Sequence, residues 1–222
     1  MSGAPAGQRQ RVQRERRPFL IAASVVAVAA ALTGSPWLFG ATAVVSFWVF
    51  WFFRDPQRDI PPGEQVAVSP ADGRIVQIGE VKEGHFLNEP RLRVSIFLNI
   101  FNVHVNRAPC AGTVREVRYQ PGRFLAAQRP DASELNEQNA VLLETPRGER
   151  VVFVQIAGLI ARRIVSWIKT GDRLEKGERF GMIRFGSRTD LFLPLGTEIQ
   201  VRVGDSVKGG ETIIGLLPGG HP

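Results

Sequence analysis

Cysteine is almost missing from the chain: Cys110 stands alone among 222 residues. No internal disulfide can form, so the composition does not point to an oxidising compartment. A lone thiol without a nearby acid-base partner reads as a small buried apolar residue rather than a nucleophile. Histidine is nearly as scarce, with only His85, His104 and His221. Three histidines and one cysteine leave no ligand spacing for a structural zinc site, so no metal is expected. A P-loop and a dinucleotide-binding glycine fingerprint are also missing. Zinc-finger spacing, an RNP-type aromatic motif and a long basic run are absent, which excludes the common nucleic-acid binders. From Pro18 to Phe53 charge itself is missing.

The rest of the chain is basic, with 28 Lys and Arg against 21 Asp and Glu and a net charge of +7. Such a balance suits an anionic partner, either nucleic acid or an acidic lipid surface. The basic cluster Arg9, Arg11, Arg14, Arg16 and Arg17 adjoins the uncharged stretch, which selects the lipid surface. Residues 1–17 read as a basic, disordered N-terminus. A single helix over 18–53 would be about 54 Å long, against a hydrocarbon core of about 30 Å. Thr33-Gly34-Ser35-Pro36 divides the stretch, because Gly and Pro break helices. The expected form is a membrane-associated hairpin of two short apolar helices, roughly 19–32 and 37–53, which either spans a thinned bilayer or dips into one leaflet. A signal peptide would have one apolar core and a small-residue cleavage site. The second stretch, rich in Trp and Phe, fits an anchor better. Arginines before the first helix, and Arg54 and Arg58 after the second, place both ends and the following domain on the cytoplasmic side.

Residues 54–63 read as a stiff linker, and 64–222 as a separate β domain. Val- and Ile-rich runs recur at Gln65–Val68, Arg74–Ile78, Arg91–Ile100, Gly112–Tyr119, Ala140–Glu144, Val151–Ala157, Gly181–Phe185 and Glu198–Val203. Ala71-Asp72-Gly73, Pro121-Gly122, Pro146-Arg147-Gly148 and Gly209-Gly210 punctuate them. Many short strands with regular turns predict a mainly β barrel or sandwich. Leu159, Ile160, Ile164, Trp167 and Ile168 predict one helix over 159–168, and 121–139 reads as a long loop. Gly171-Asp172-Arg173-Leu174 then Gly177-Glu178 is echoed 33 residues later by Gly204-Asp205-Ser206-Val207 then Gly210-Glu211. This pattern resembles the hammerhead turns of biotinyl and lipoyl carrier domains, which implies a barrel-sandwich of two similar halves. Carrier domains hold a modified lysine on a tight hairpin between the halves; that hairpin is lacking, so a swinging-arm role is not expected.

Chemistry concentrates in Gly177-Glu178-Arg179-Phe180-Gly181-Met182-Ile183-Arg184-Phe185-Gly186-Ser187-Arg188-Thr189-Asp190 and on to Pro194. Taken alone, Gly186-Ser187 is a turn between two strands. In these surroundings it resembles the processing site of the short class of phosphatidylserine decarboxylase proenzymes, whose longer relatives carry Leu-Gly-Ser-Thr there. The resemblance extends to Phe52-Phe53-Arg54-Asp55-Pro56, Val68-Ser69-Pro70-Ala71-Asp72-Gly73, the histidine strand Phe97–Pro109 and Asn136-Glu137-Gln138-Asn139, and covers about 18–217.

The resemblance implies that Ser187 Oγ attacks the Gly186 carbonyl and that β-elimination separates a large chain, 1–186, from a small chain, 187–222. Residue 187 is left as a covalent pyruvoyl group, the enzyme's own cofactor. It then forms a Schiff base with phosphatidylserine and acts as an electron sink while carbon dioxide leaves, giving phosphatidylethanolamine. The partners so implied are phosphatidylserine in the cell membrane and the enzyme's own two chains as a heterodimer, with higher assembly left open. His104 becomes the candidate acid-base group; without the resemblance it would read as a satisfied core histidine. His85 reads as a surface residue and His221 as part of the tail. Longer relatives carry a second histidine where this chain has Arg107. Asp72 either orients the histidine or caps a β-turn, and Asp190 is a weaker candidate of the same kind. Arg107 and Arg188 either contact lipid phosphate or carboxylate or are solvated charges. Two other readings compete: a membrane-tethered adaptor without catalysis, which leaves Phe185-Gly186-Ser187-Arg188 unexplained, and a pyruvoyl decarboxylase of a soluble amino acid, which leaves the apolar hairpin unexplained.

Overall fold

The computed structural model describes residues 6–125, 135–158, 163–183 and 187–219. The chain divides into two compact units, Met1–Pro56 and Gln57–Pro222. In the first, helices α1 (Ala6–Leu32) and α2 (Pro36–Phe52) form a hairpin. Gly34 takes φ 70° after α1, the left-handed conformation that ends helices. Ser35 caps α2 by accepting from Leu38 N, and Pro36 opens its first turn. The Phe19 and Phe53 rings lie 5.1 Å apart, and the Arg16 guanidinium sits over the Phe50 ring. The expected disorder of 1–17 does not hold for residues 6–17: they continue α1, and its arginines are helical. Pro18 lies inside the helix without ending it, although it removes one N–H from the ladder. Among the described residues no helix is long and apolar enough to cross a membrane.

The second unit is mainly β, as the alternating runs predict. Its strands are β1 (Val66–Val68), β2 (Gly73–Lys82), β3 (Pro90–Leu98), β4 (Val105–Arg107), β5 (Gly112–Gln120), β6 (Gln138–Glu144), β7 (Arg150–Ile156), β8 (Ile164–Ser166), β9 (Arg173–Leu174), β10 (Arg179–Ile183), β11 (Ser187–Leu193), β12 (Glu198–Ile199), β13 (Ser206–Val207) and β14 (Ile213–Leu216). Eight form a curled antiparallel sheet in the order β13-β2-β3-β11-β7-β6-β5-β9. Two three-stranded sheets, β1-β14-β12 and β4-β10-β8, complete the unit. The helix expected over 159–168 is corrected: Ile164–Ser166 pair with Gly181–Ile183 as a strand, and 159–162 lie outside the described residues. Tertiary pairing overrode a helical stripe made of β-branched and aromatic residues, which suit a strand equally well. Of the long loop expected over 121–139, Gln138 and Asn139 belong to β6. The segment 57–63, read as linker, packs within this unit: Arg58 pairs with Asp72 and Glu211, and Ile60 lies against Gly177 and Gly210.

The large sheet's order is symmetric about the β11–β7 pair, and the symmetry runs through the whole unit. Gly204 N donates to Ile75 O and Ile75 N to Asp205 O; Gly171 N donates to Val114 O and Val114 N to Asp172 O. Gly210 N donates to Ser69 O, and Gly177 N to Ala108 O. The pairing of β2 with β3 slips between Ile75 and Gln77, and that of β5 with β6 at the equivalent Val114 and Glu116. A Cβ on Gly73 would strike Phe97 O, and one on Gly112 would strike Glu144 O. The halves are therefore β1, β2, β3, β11, β12, β13, β14 and their counterparts β4, β5, β6, β7, β8, β9, β10. The sequence carries this duplication twice: in the Gly-Asp turns 33 apart, and in Ser69-Pro70-Ala71-Asp72-Gly73 against Ala108-Pro109-Cys110-Ala111-Gly112, 39 apart. Between the sheets lies one core that includes Ile75, Ile96, Leu98, Val114, Val141, Phe153, Phe180 and Leu191.

Candidate active site

Side chains alternate along β11, and that alternation sorts the site. Leu191 and Leu193 join the main core and Phe192 a second cluster on the opposite face, so Ser187 and Thr189 point inward and Arg188 and Asp190 outward. Ser187 begins the strand opposite Leu98. It is fully buried, and its Oγ has no hydrogen-bond partner among the described residues. A buried hydroxyl left without a partner costs about 1–3 kcal/mol. Such a cost in a central strand calls for a chemical reason. Gly186, the other side of the expected scissile bond, lies outside the described residues.

His104 is fully buried at the head of β4. Its Nδ1 lies 3.0 Å from Asn102 O. A carbonyl only accepts, so neutral His104 carries its proton on Nδ1 and its basic lone pair on Nε2. The His104 carbonyl accepts from Ile183 N. His104 is thus tied to the last described residue before 184–186, and Ser187 is the first after it. Asn99 and Asn102 shape the preceding turn: Asn99 N donates to Asn102 Oδ1, and Phe101 N to Asn99 Oδ1.

Asp72 accepts from Arg58 Nη2 at 2.8 and 3.0 Å and from Gly209 N at 2.7 Å. Its carboxylate fixes the turn 69–73. Pro70 O of that turn accepts from Arg107 N at 2.9 Å and from Asn106 Nδ2, so the turn in turn holds β4. Arg107 Nη1 donates to Gly177 O. Arg188 grips Asp190 through Nε at 2.6 Å and Nη2 at 2.8 Å, and donates to Ser95 Oγ. That bidentate pair lies on the outward face, away from Ser187, so neither Arg188 nor Asp190 faces the serine hydroxyl. His85 lies beside Phe192 on that outer face. Burial pushes its pKa down, against the opposing pull of Glu83 and Asp190. Cys110 is buried, and desolvation pushes its thiol up to about 12, as its reading as a small apolar residue requires. His221 lies outside the described residues.

A row of polar side chains continues the inward face beside Ser187; Asn106, Asn139 and Thr189 lie within the motifs quoted above without having been assigned a role, and Gln155 lies outside them. Thr189 of β11 stands opposite Gln155 of β7, and Gln155 opposite Asn139 of β6. Asn139 Nδ2 donates to Gln155 Oε1 at 3.1 Å, and Gln155 Nε2 to Asn106 Oδ1 of β4 at 2.8 Å. All four are buried. A glutamine inside the otherwise apolar run Val151–Ile156 was the available signal.

The whole chain, compared with known proteins, resolves what this arrangement belongs to. The family model described as phosphatidylserine decarboxylase matches residues 45–215. The chain belongs to the phosphatidylserine decarboxylase family. A phosphatidylserine decarboxylase proenzyme of Syntrophus aciditrophicus is 47% identical over 93% of this chain and 97% of its own length. Relatives of the same name from Magnetococcus marinus and Symbiobacterium thermophilum are 48% and 49% identical over 94% and 93% of this chain, and 96% of theirs. As a member of this family the chain is a carboxy-lyase made as a proenzyme.

Proposed function

We propose that the protein decarboxylates phosphatidylserine to phosphatidylethanolamine with a pyruvoyl group made from Ser187 by self-cleavage at Gly186-Ser187. The observation that carries this reading is the buried Ser187 hydroxyl at the head of a central strand, without a hydrogen-bond partner among the described residues, inside the motif that resembles the family's processing site. Ser187 Oγ attacks the Gly186 carbonyl carbon and the amide nitrogen leaves, turning the amide into an ester. Loss of a proton from Cα of residue 187 then expels the Gly186 carboxylate from Cβ. The remaining dehydroalanine takes up water and releases ammonia. His104 Nε2, fixed in its tautomer by Asn102 O, is the base that helps deprotonate Ser187 Oγ and later returns a proton to the substrate carbon. Asp72 is a positioning carboxylate: it holds the turn 69–73 on which β4 hangs, and so orients His104 through the backbone. The pyruvoyl group, once formed, supplies an electrophilic carbonyl for the lipid amine and a conjugated sink for the electron pair left by carbon dioxide.

The two symmetric halves and their paired Gly-Asp turns support a barrel-sandwich architecture for 64–222. The uncharged stretch 18–53 of the α1–α2 hairpin and the arginines that flank it support attachment to the cytoplasmic face of the cell membrane. At 17 residues, α2 is about 25 Å long, which suits a shallow insertion. The products of cleavage, 1–186 and 187–222, remain together as a heterodimer. Intact mass of the native protein tests the reading: two chains are expected, the small one lighter than a simple hydrolysis product by one ammonia. One uncut chain with Ser187 intact and no release of carbon dioxide from phosphatidylserine would refute it.

A further inference from the structure

The internal duplication supplies a comparison within the molecule itself. Arg74 pairs with Phe97 as Thr113 pairs with Glu144, and Ser187 faces Leu98 where Glu149 faces Thr145. Carried along the strands, this correspondence sets Thr189 against Val151, Gln155 against Leu193 and Asn139 against Leu92. Asn106 corresponds to Ala67, since they pair with Gly181 and Gly215 respectively. At the equivalent positions, at the other end of the duplicated core, the side chains are apolar, and Val151, Leu193 and Ala67 are fully buried. The fold therefore does not need polar groups there. They occur at the one end of the duplicated core that holds Ser187.

The row is also incomplete as a hydrogen-bond system. Asn139, Gln155, Asn106 and Pro70 O form a chain that fixes the amide orientations. Thr189 Oγ1, buried in line with them, has no partner among the described residues, and each amide nitrogen has a second N–H to give. The row carries no charge: Arg188 and Asp190 neutralise each other on the opposite face.

We propose that Thr189, with the amides of Gln155, Asn139 and Asn106, recognises the carboxylate of the lipid's amino-acid headgroup through neutral donors, next to residue 187. This rests on the decarboxylase reading and names its specificity site. The chemistry favours such a row over an arginine. A cation would bind the carboxylate most strongly in the ground state, and its hold would weaken as charge leaves with carbon dioxide, so it would raise the barrier. Neutral donors orient the group and give up less when it departs.

The test uses the full-length protein in detergent with short-chain phosphatidylserine or phosphatidylethanolamine, which differ by that carboxylate. Cyanoborohydride links a bound lipid amine to the small chain, and the total adduct is counted by intact mass at equal, subsaturating lipid. Wild type is expected to capture the serine lipid preferentially. Thr189→Val is expected to be cut normally and to capture the ethanolamine lipid as before. It should lose about tenfold in capture of the serine lipid, the scale of one hydrogen bond to a charged group. Thr189→Ser should keep the preference. Equal capture of both lipids by wild type, an unchanged preference in Thr189→Val, or a Thr189→Val chain that stays uncut would each overturn the proposal. Wild type that is neither cut nor linked to either lipid would instead refute the decarboxylase reading.

Discussion

At the scale of single residues, position on a strand decides chemistry. Ser187 and Arg188 are neighbours in sequence, yet one points into the core and the other into a bidentate grip on Asp190. Ser187→Ala removes the nucleophile without changing the buried volume much. It should give one uncut chain, a thermal midpoint within a few degrees of the wild-type proenzyme and no decarboxylase activity; a 187–222 fragment in that variant would disprove the cleavage site. His104→Ala should slow self-cleavage, turnover or both by about 10²-fold or more, the scale of general acid-base catalysis, and pulse-chase gels with lipid turnover measure the two separately. Cys110, with its thiol pushed up to about 12, should resist iodoacetamide in the native protein at pH 8 and react once it is unfolded.

At the scale of elements, the segment after β2 is held by one carboxylate. Glu83 accepts from the main-chain N–H groups of His85, Phe86 and Leu87, and Phe86 and Leu87 cover the outer cluster of Val152, Val154, Ile156 and Phe192. His85 within it has its pKa lowered by burial, so the folded state binds a proton less readily than the unfolded chain. Unfolded His85 takes up that proton as pH falls through its ordinary value of 6.5, and this contribution to stability, complete above that value, is lost below it. The urea midpoint should drop between pH 7.5 and 5.5, and drop less in His85→Asn; equal slopes for the two proteins would exclude His85. The β10–β8 pair relies on a different device. A Cβ on Gly181 would strike Val165 O, so Gly181→Ala should push β8 away and cost stability by about 1–3 kcal/mol.

At the scale of the whole molecule, the expected cut passes through the middle of the large sheet. The small chain 187–222 supplies β11, β12, β13 and β14. Of these, β11 lies between β3 and β7, and β14 between β1 and β12. Breaking one peptide bond leaves those ladders and the shared core intact, so the two chains should co-elute in native size exclusion and separate only in denaturant. Release of the 187–222 chain under native conditions would contradict this interleaving.

The sequence alone was enough for the mainly β class of fold, the two N-terminal helices and the family, because each is written in local signals: alternation, breakers and the motifs that carry the resemblance. Residues 6–17 were misread because arginines and small residues allow helix as readily as disorder, and contiguity with α1 selects helix. The strand at Ile164–Ser166 was misread because β-branched residues fit either period, and only the partner β10 chooses between them. The 33-residue echo of the Gly-Asp turns was legible, but its 39-residue companion, with Cys110-Ala111 where the first copy has Ala71-Asp72, was too sparse to stand out before the hydrogen bonds matched. Thr189, Gln155, Asn139 and Asn106 come from four strands spread over 84 residues. Register and pleat bring them to one row beside Ser187, and long-range pairing of that kind is the part of a fold that no local signal contains.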